Sequence, residues 1–90
     1  MEGSNMTSGV EYALKAMNTL QELVGFTVEG VIGIRETENG WEYELEVLEM
    51  ERIPETNDVM ATYSVQVNAE GEIVGYRRNR RYTRAQIERS

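Results

Sequence analysis

The stretch TVEGVIGIRETENGWEYELEV, residues 27–47, has the pattern of two strands joined by a tight turn. On both sides of Asn39-Gly40, apolar residues alternate with polar or small ones, which is the period-two pattern of a half-buried strand. An Asn-Gly pair between two such runs predicts a two-residue type I′ turn. The pairs predicted by that turn are Ile34 with Leu45, Ile32 with Val47 and Arg35 with Glu44. The apolar pairs then share one face, so the stretch predicts an antiparallel hairpin.

Upstream of the hairpin, the apolar residues follow the period of a helix. Ser8 and Glu11 have the spacing of a capping box, and Gly25 suits a left-handed cap at the other end. The apolar face between these signals consists of Val10, Ala13, Leu14, Met17, Leu20 and Val24. The sequence therefore predicts one amphipathic helix of about 16 residues.

Three strands are predicted after the turn, the first of which is the second strand of the hairpin. The inner face of the strand that follows the turn consists of Trp41, Tyr43, Leu45 and Val47. Its apolar phase changes at Leu48 and Met50, which predicts a bulge near residues 47–48 or the end of the strand there. The inner face of the next strand consists of Val59, Ala61, Tyr63, Val65 and Val67. A last strand begins with EIVGYRR, residues 72–78.

The turn NAEG, residues 68–71, leaves two alternatives for this last strand. A three-residue loop with Gly71 in the left-handed conformation turns Ile73 inward beside Val67. A four-residue turn instead turns Val74 and Tyr76 inward. We favour the first alternative, because Asn commonly begins a type I turn and Gly suits the following bulge.

These elements predict a single α+β domain in which one N-terminal helix packs on a four-stranded antiparallel meander. We expect the domain to span residues 8–84, with a disordered N-terminus at residues 1–7 and a short tail at residues 85–90. A chain of 90 residues has room for one modest core.

Composition excludes several classes of function. The chain has 16 acidic and 9 basic residues, a net charge of −7, and neither cysteine nor histidine. Disulfides, cysteine nucleophiles, ordinary zinc sites and histidine acid–base catalysis are therefore excluded. No apolar run approaches the length of a membrane span, and the N-terminus lacks the pattern of a secretory signal. We expect a cytoplasmic protein that is not an enzyme and has no cofactor.

Three glutamates, Glu42, Glu44 and Glu46, alternate along the outer face of the second strand. Carboxylates at this spacing lie about 7 Å apart, and no calcium-binding loop accompanies them, so no metal site is expected. The alternatives are a solvated outer face and an acidic contact surface for a basic partner.

The run GYRRNRRYTR, residues 75–84, is a candidate basic contact surface. Its arginines are Arg77, Arg78, Arg80, Arg81 and Arg84. In a regular strand, Arg78 and Arg80 would share one face, and Arg77 and Arg81 the other. Contact with a protein partner, intramolecular ion pairs and nucleic-acid binding are the three alternatives. The acidic net charge disfavours nucleic acid.

The loop RIPETND, residues 52–58, is a secondary candidate site, because ordered loops often carry contacts. Its candidate contact residues are Pro54 and Asp58, although Asn57 and Asp58 also favour a plain turn. Trp41, the only tryptophan, is expected to cover the edge of the core, with a role in recognition as the alternative.

Two segments resemble the gas vesicle protein O family. They are GWEYELEVLEMERIPETNDVMATYSV, residues 40–65, and GEIVGYRRNRRYTR, residues 71–84, and the resemblance spans roughly Gly33 to Arg84. The most specific residues of the first segment are Glu49, Arg52, Ile53, Pro54, Thr56, Asp58 and Val59. Those of the second are Tyr76, Arg78, Arg80, Arg81 and Tyr82. Two such segments in the right order make a chance similarity improbable.

The resemblance implies an accessory protein for the assembly of gas vesicles, the gas-filled protein shells that make cells buoyant. The implied partners are other gas vesicle accessory proteins, an AAA-type ATPase and the gas vesicle shell protein. No catalytic residues are implied. A small nucleic-acid-binding module that uses the arginine run is the alternative function.

Overall fold

The computed structural model describes residues 2–89 and the side chains of residues 9–86. Its elements, in chain order, are helix α1 (Glu2–Val24), strands β1 (Thr27–Thr37) and β2 (Gly40–Met50), a short 3-10 helix (Glu55–Asn57), strands β3 (Val59–Asn68) and β4 (Ile73–Thr83), and helix α2 (Arg84–Arg89). The strands form one antiparallel sheet in the order β1-β2-β3-β4. The predicted α+β fold, one N-terminal helix on a four-stranded meander, is confirmed.

Helix α1 begins at Glu2, earlier than the cap predicted at Ser8. It ends as predicted at Gly25, which has a φ of 77° and donates its N–H to the carbonyl of Gln21 at 2.9 Å. Residue 1 and the side chains of residues 2–8 lie outside the described part of the chain. The disorder predicted for residues 1–7 and the domain boundaries stay predictions. No helix within residues 2–89 is long and apolar enough to cross a membrane.

The buried face of α1 agrees with most of the predicted one. Ala13 and Leu20 are buried, and Met17 and Val24 pack against the core. Val10 and Leu14 were predicted to face the core but are 50% and 59% exposed, whereas Ala16 is fully buried. The helix is therefore turned so that one edge of its apolar stripe faces solvent.

The core lies between α1 and one face of the sheet. The buried residues that β2 and β3 contribute are Tyr43, Leu45, Val47, Ala61, Tyr63, Val65 and Val67. These residues confirm the predicted inner faces of both strands. The Tyr43 hydroxyl donates to the Gly9 carbonyl at 2.7 Å, which ties the helix to the middle of the sheet. Burial raises the pKa of that hydroxyl.

The β1–β2 turn is one residue earlier than predicted. Thr37 pairs with Gly40, so the two turn residues are Glu38 and Asn39. Among the described residues only Gly25 and Gly71 have positive φ, and a type I′ turn requires positive φ at both central residues. The predicted type I′ turn at Asn39-Gly40 is therefore wrong.

Gly40 instead serves close packing between strands. A Cβ atom at this position would lie 2.6 Å from the carbonyl carbon of Asn68 and still closer to the carbonyl oxygen of Val67. Any side chain at position 40 would therefore push β2 away from β3.

The register of β1 on β2 also differs from the prediction. Ile34 pairs with Tyr43 rather than Leu45, and Arg35 pairs with Glu42. Two register shifts, at residues 28–30 and 31–33, interrupt the alternation. They place Ile32 on the outer face of the sheet, 54% exposed, although it was predicted to face the core.

The β3–β4 turn confirms the favoured alternative. Gly71 has a φ of 85°, and its N–H donates to the carbonyl of Asn68 at 3.0 Å. Val67 pairs with Ile73, which packs against the core. Val74 is 66% exposed, so the other alternative is wrong for Val74, whereas Tyr76 lies opposite the buried Val65, on the face where that alternative placed it. The bulge predicted near residues 47–48 lies at 48–50.

Candidate contact surfaces

A bulge in β4 decides where the arginine run points. Relative to β3 the strand contains two extra residues, Val74 and Asn79, and the second of them lies within the arginine run. The bulge places Arg78 and Arg81 on the face that carries the core, and Arg77 and Arg80 on the outer face. The predicted distribution, with Arg78 beside Arg80 and Arg77 beside Arg81, is wrong because it assumed an unbroken two-residue period.

The arginines on the core face share one carboxylate. The Glu49 side chain is only 3% exposed and lies 3.0 Å from Arg81 Nε and 3.4 Å from an Arg78 guanidinium nitrogen. The Tyr63 hydroxyl also donates to Glu49, at 3.0 Å. Burial, together with this hydrogen bond, raises the pKa of Tyr63. Glu49 needs these partners, since an unpaired buried carboxylate is costly, and the two arginines therefore hold the domain together.

The arginines on the outer face remain available to a partner. Arg77 Nε donates to Oδ1 of Asn79 at 3.3 Å, and the Arg80 guanidinium lies 5.0 Å from the centre of the Tyr82 ring. Neither has a carboxylate partner among the side chains of residues 9–86. These two arginines lie beside the glutamates of β2, and a small surface of mixed charge does not favour phosphate binding.

The three glutamates of β2 have different surroundings on this outer face. Glu42 forms an ion pair with Arg35 and accepts a hydrogen bond from Gln66 at 3.0 Å, and these two contacts lower its pKa. Glu46 accepts a hydrogen bond from the Tyr82 hydroxyl at 2.8 Å. Glu44 is exposed and has no partner within residues 9–86. Of the three, only Glu44 has both carboxylate oxygens free.

Asp58 and Arg84, both predicted contact residues, contact each other. Asp58 is 4% exposed, and its Oδ2 lies 3.1 Å from Arg84 Nε. Its other oxygen accepts the N–H of Arg52 at 2.8 Å. The Arg84 guanidinium also reaches Glu29 of β1 at 3.2 Å. This cluster fixes the loop before β3 against the end of β4.

The loop of residues 51–57 is entirely exposed yet well anchored. Its Ile53 is 99% exposed, and the Ile53–Pro54 peptide bond is cis. The N–H of Asn57 donates to the Pro54 carbonyl at 2.9 Å, and the N–H of Asp58 to the Glu55 carbonyl at 2.8 Å. The sequence predicts contacts at Pro54 and Asp58 and none at Ile53, although an isoleucine inside an otherwise polar loop is a usable signal.

Trp41 lies at the edge of the core, as predicted. It is partly buried, and its ring packs edge-on against Tyr12 of α1, with ring centres 5.3 Å apart and planes at 74°. Among the described residues no cluster of acidic side chains is placed to hold a metal ion.

Comparisons with known proteins agree on one family. The family model described as gas vesicle synthesis protein GvpO matches residues 2–88. Gas vesicle protein O of Streptomyces sp. (strain CB03234) is 46% identical over 71 residues, which cover 79% of this chain and 56% of the relative. Gas vesicle protein O1 of Halobacterium salinarum (strain ATCC 700922 / JCM 11081 / NRC-1) is 29% identical over 73 residues, or 81% of this chain and 61% of the relative.

A third relative shows the same partial coverage. Gas vesicle protein O of Haloferax mediterranei is 29% identical over 75 residues, or 82% of this chain and 54% of the relative. The chain thus spans little more than half the length of these relatives. No solved structure matches the chain.

Proposed function

Since the chain belongs to the family of gas vesicle synthesis protein GvpO, we propose that it is a non-enzymatic accessory factor in gas vesicle formation that acts through protein–protein contacts. We place it in the cytoplasm, in association with growing vesicles. The proposed partners are other gas vesicle accessory proteins, an AAA-type ATPase and the vesicle shell protein.

The observation that carries this proposal is the exposure of Ile53. At 99% exposed, this side chain contributes nothing to the core, and it is held out on a loop anchored by Asp58. Burying an isoleucine side chain stabilises a protein or complex by about 1.5–3 kcal/mol. Because Ile53 is exposed in this fold, that free energy is gained only when a partner covers it. Because the loop is already ordered, little conformational entropy is lost on binding, which favours affinity.

The outer face of the sheet supports the same function by its charge. Among the side chains of residues 9–86, Arg77 and Arg80 on β4 have no carboxylate partner, and Glu44 on β2 has no partner. Charges of both signs, arranged on one surface, steer and orient a complementary partner more than they add affinity. The loop would supply the apolar anchor, and the outer face the orientation.

The proposal is tested by replacing Ile53 with serine in the full chain, in cells that form gas vesicles. The matched control is Val74→Ser, because Val74 is another exposed aliphatic residue, 66% exposed, on a different part of the surface. We expect Ile53→Ser to fold normally, to lose co-purification with other gas vesicle proteins and to reduce vesicle yield by flotation. The control should retain both.

Normal co-purification and normal vesicle yield with Ile53→Ser would exclude the loop as the contact. Equal losses from both variants would indicate a general effect of surface polarity and would also contradict the proposal. Circular dichroism of the purified variants checks that each one is folded.

A further inference from the structure

A groove crosses the outer face of the sheet from edge to edge. It has a volume of about 400 Å³. Its lining residues are Ile32, Glu44, Glu46, Thr62, Arg80 and Tyr82. Residues of β1 and β4, the two edge strands, both line this groove.

Thr62 lies on the floor of this groove without a partner. It is 5% exposed, and its Oγ1 has no hydrogen-bond partner within the described residues. A buried hydroxyl that makes no hydrogen bond destabilises the fold, because its hydration is lost without replacement. A ligand whose polar group reached Oγ1 would remove this deficit.

The charges of the groove favour a cationic ligand. The carboxylates of Glu44 and Glu46 are two residues apart on one strand, and a cation between them would interact with both. Within residues 9–86, Glu44 has no partner, and only one oxygen of Glu46 accepts a hydrogen bond, from the Tyr82 hydroxyl. The guanidinium of Arg80 lies over the ring of Tyr82 and leaves the groove with a net charge of −1.

The groove also has an apolar wall. Ile32, which the bulges of β1 turn outward, is 54% exposed at one side of the groove. Long cationic side chains bury their methylene stems on such surfaces while their charged ends stay near polar groups. An apolar wall beside two carboxylates and a free hydroxyl matches a lysine or arginine side chain better than a bare metal ion.

We propose that this groove binds a lysine or arginine side chain of a protein partner. The methylene stem packs on Ile32, and the cationic end lies between Glu44 and Glu46. One of its N–H groups donates to Thr62 Oγ1, and because this oxygen is covered in the unbound protein, the side chains around it move apart on binding. This site is distinct from the Ile53 loop. It goes beyond the function proposed above and can hold even if the loop makes no contact.

The proposal is tested on the purified full chain by NMR titration. The probes are the capped peptides acetyl-Gly-Arg-Gly-amide and acetyl-Gly-Lys-Gly-amide, and acetyl-Gly-citrulline-Gly-amide is the uncharged control. We expect one or both cationic peptides to shift the methyl signals of Ile32 and Thr62 in a saturable way. Citrulline has the shape of arginine without the charge, and it should bind more weakly.

Variants identify the groups that bind. Glu44→Gln should weaken binding by about two- to fivefold, as expected for the loss of one partly exposed ion pair. Glu70→Gln, an equal change of charge in the β3–β4 turn, should leave affinity unchanged. Arg80→Gln should strengthen binding, since it removes a competing positive charge. Thr62→Val should weaken binding while raising the melting temperature, because the unpartnered hydroxyl is gone.

Several outcomes would overturn the proposal. These are a lack of shifts at Ile32 and Thr62 up to the solubility limit of the peptides, equal binding of citrulline and arginine, and equal affinities of Glu44→Gln and Glu70→Gln. These measurements require no gas vesicle, so their failure is separable from failure of the Ile53 experiment.

Discussion

Replacing Gly40 by alanine is expected to destabilise the domain strongly. The new Cβ atom would lie 2.6 Å from the carbonyl carbon of Asn68 and 2.8 Å from its Cα. These are backbone atoms of a central strand, so no side-chain rotation relieves the overlap. Overpacking of this kind costs about 3 kcal/mol, the upper end of the usual range. For a domain of this size that corresponds to a fall in melting temperature of about 12–24 °C.

The matched control is Gly30→Ala in β1. No atom lies within 4 Å of the corresponding Cβ position, and the φ of Gly30 is not positive. Alanine restricts the unfolded chain more than glycine does, so this variant should be neutral or more stable by about 0.5 kcal/mol. Urea unfolding of both variants, followed by circular dichroism, measures the difference.

The variant Gly40→Asn distinguishes two reasons for a glycine at position 40, close packing against β3 and a type I′ turn. Asparagine tolerates positive φ, so it would be a mild substitution if Gly40 served the turn. It carries a Cβ, so the packing explanation requires it to be at least as damaging as alanine. A stable Gly40→Asn variant, or a Gly40→Ala variant within about 1 kcal/mol of the parent, would refute the close-packing argument.

Two further expectations concern the buried polar contacts. Glu49→Gln should lower the free energy of unfolding by about 1–2 kcal/mol, because it removes two ion pairs with half-exposed arginines. Glu44→Gln should leave the free energy of unfolding almost unchanged, because Glu44 forms no ion pair within residues 9–86. Equal unfolding curves for the two variants would contradict this prediction. Burial is the main reason why the pKa values of Tyr43, Tyr63 and Tyr82 are raised. These hydroxyls therefore stabilise the folded state fully below a pH of about 10, the pKa of tyrosine in the unfolded chain. This stabilisation is lost as the pH rises above that value. In a pH titration followed by absorbance at 295 nm, these three tyrosines should ionise only well above a pH of about 10 as long as the protein stays folded. If all five tyrosines ionised together at a pH of about 10 without unfolding, the three hydroxyls would not be buried.

The two segments that carry the family resemblance meet in the structure. Glu49 of the first contacts Arg78 and Arg81 of the second, and Asp58 contacts Arg84. Residues proposed from the sequence as contacts for partners are thus partly engaged within the chain. A partner can contact only the side chains outside these ion pairs, such as Ile53 and the arginines on the outer face.

Local features of the fold could be predicted because their causes are local. Gly25 and Gly71 have the positive φ that their cap and turn require, and each signal lies within a few neighbouring residues. The inner faces of β2 and β3 followed from simple alternation, because both are central strands with one face on the core.

Errors arose where the partner strand decides the geometry. The bulge at Asn79 and the two bulges of β1 have no clear local signal, yet each one reverses the face of the residues that follow. Ile32 therefore turned outward, and the arginines of β4 divided into pairs that strict alternation did not predict. The exposure of Ile53 was missed for a related reason, because burial depends on what packs over a residue and not on its type.

The order of the elements and the α+β class followed from the sequence, since periodicity and turn residues act over short distances, and the family followed from the resemblance of residues 40–65 and 71–84. Which charged side chains lack an ion-pair partner depended on how the chain folds. Ion pairs join residues far apart in the chain, such as Glu29 with Arg84, and a bulge of one residue selects which arginines reach them. In the sequence the arginines form one run. In the fold, Arg78 and Arg81 pair with Glu49, whereas Arg77 and Arg80 lie on the outer face of the sheet.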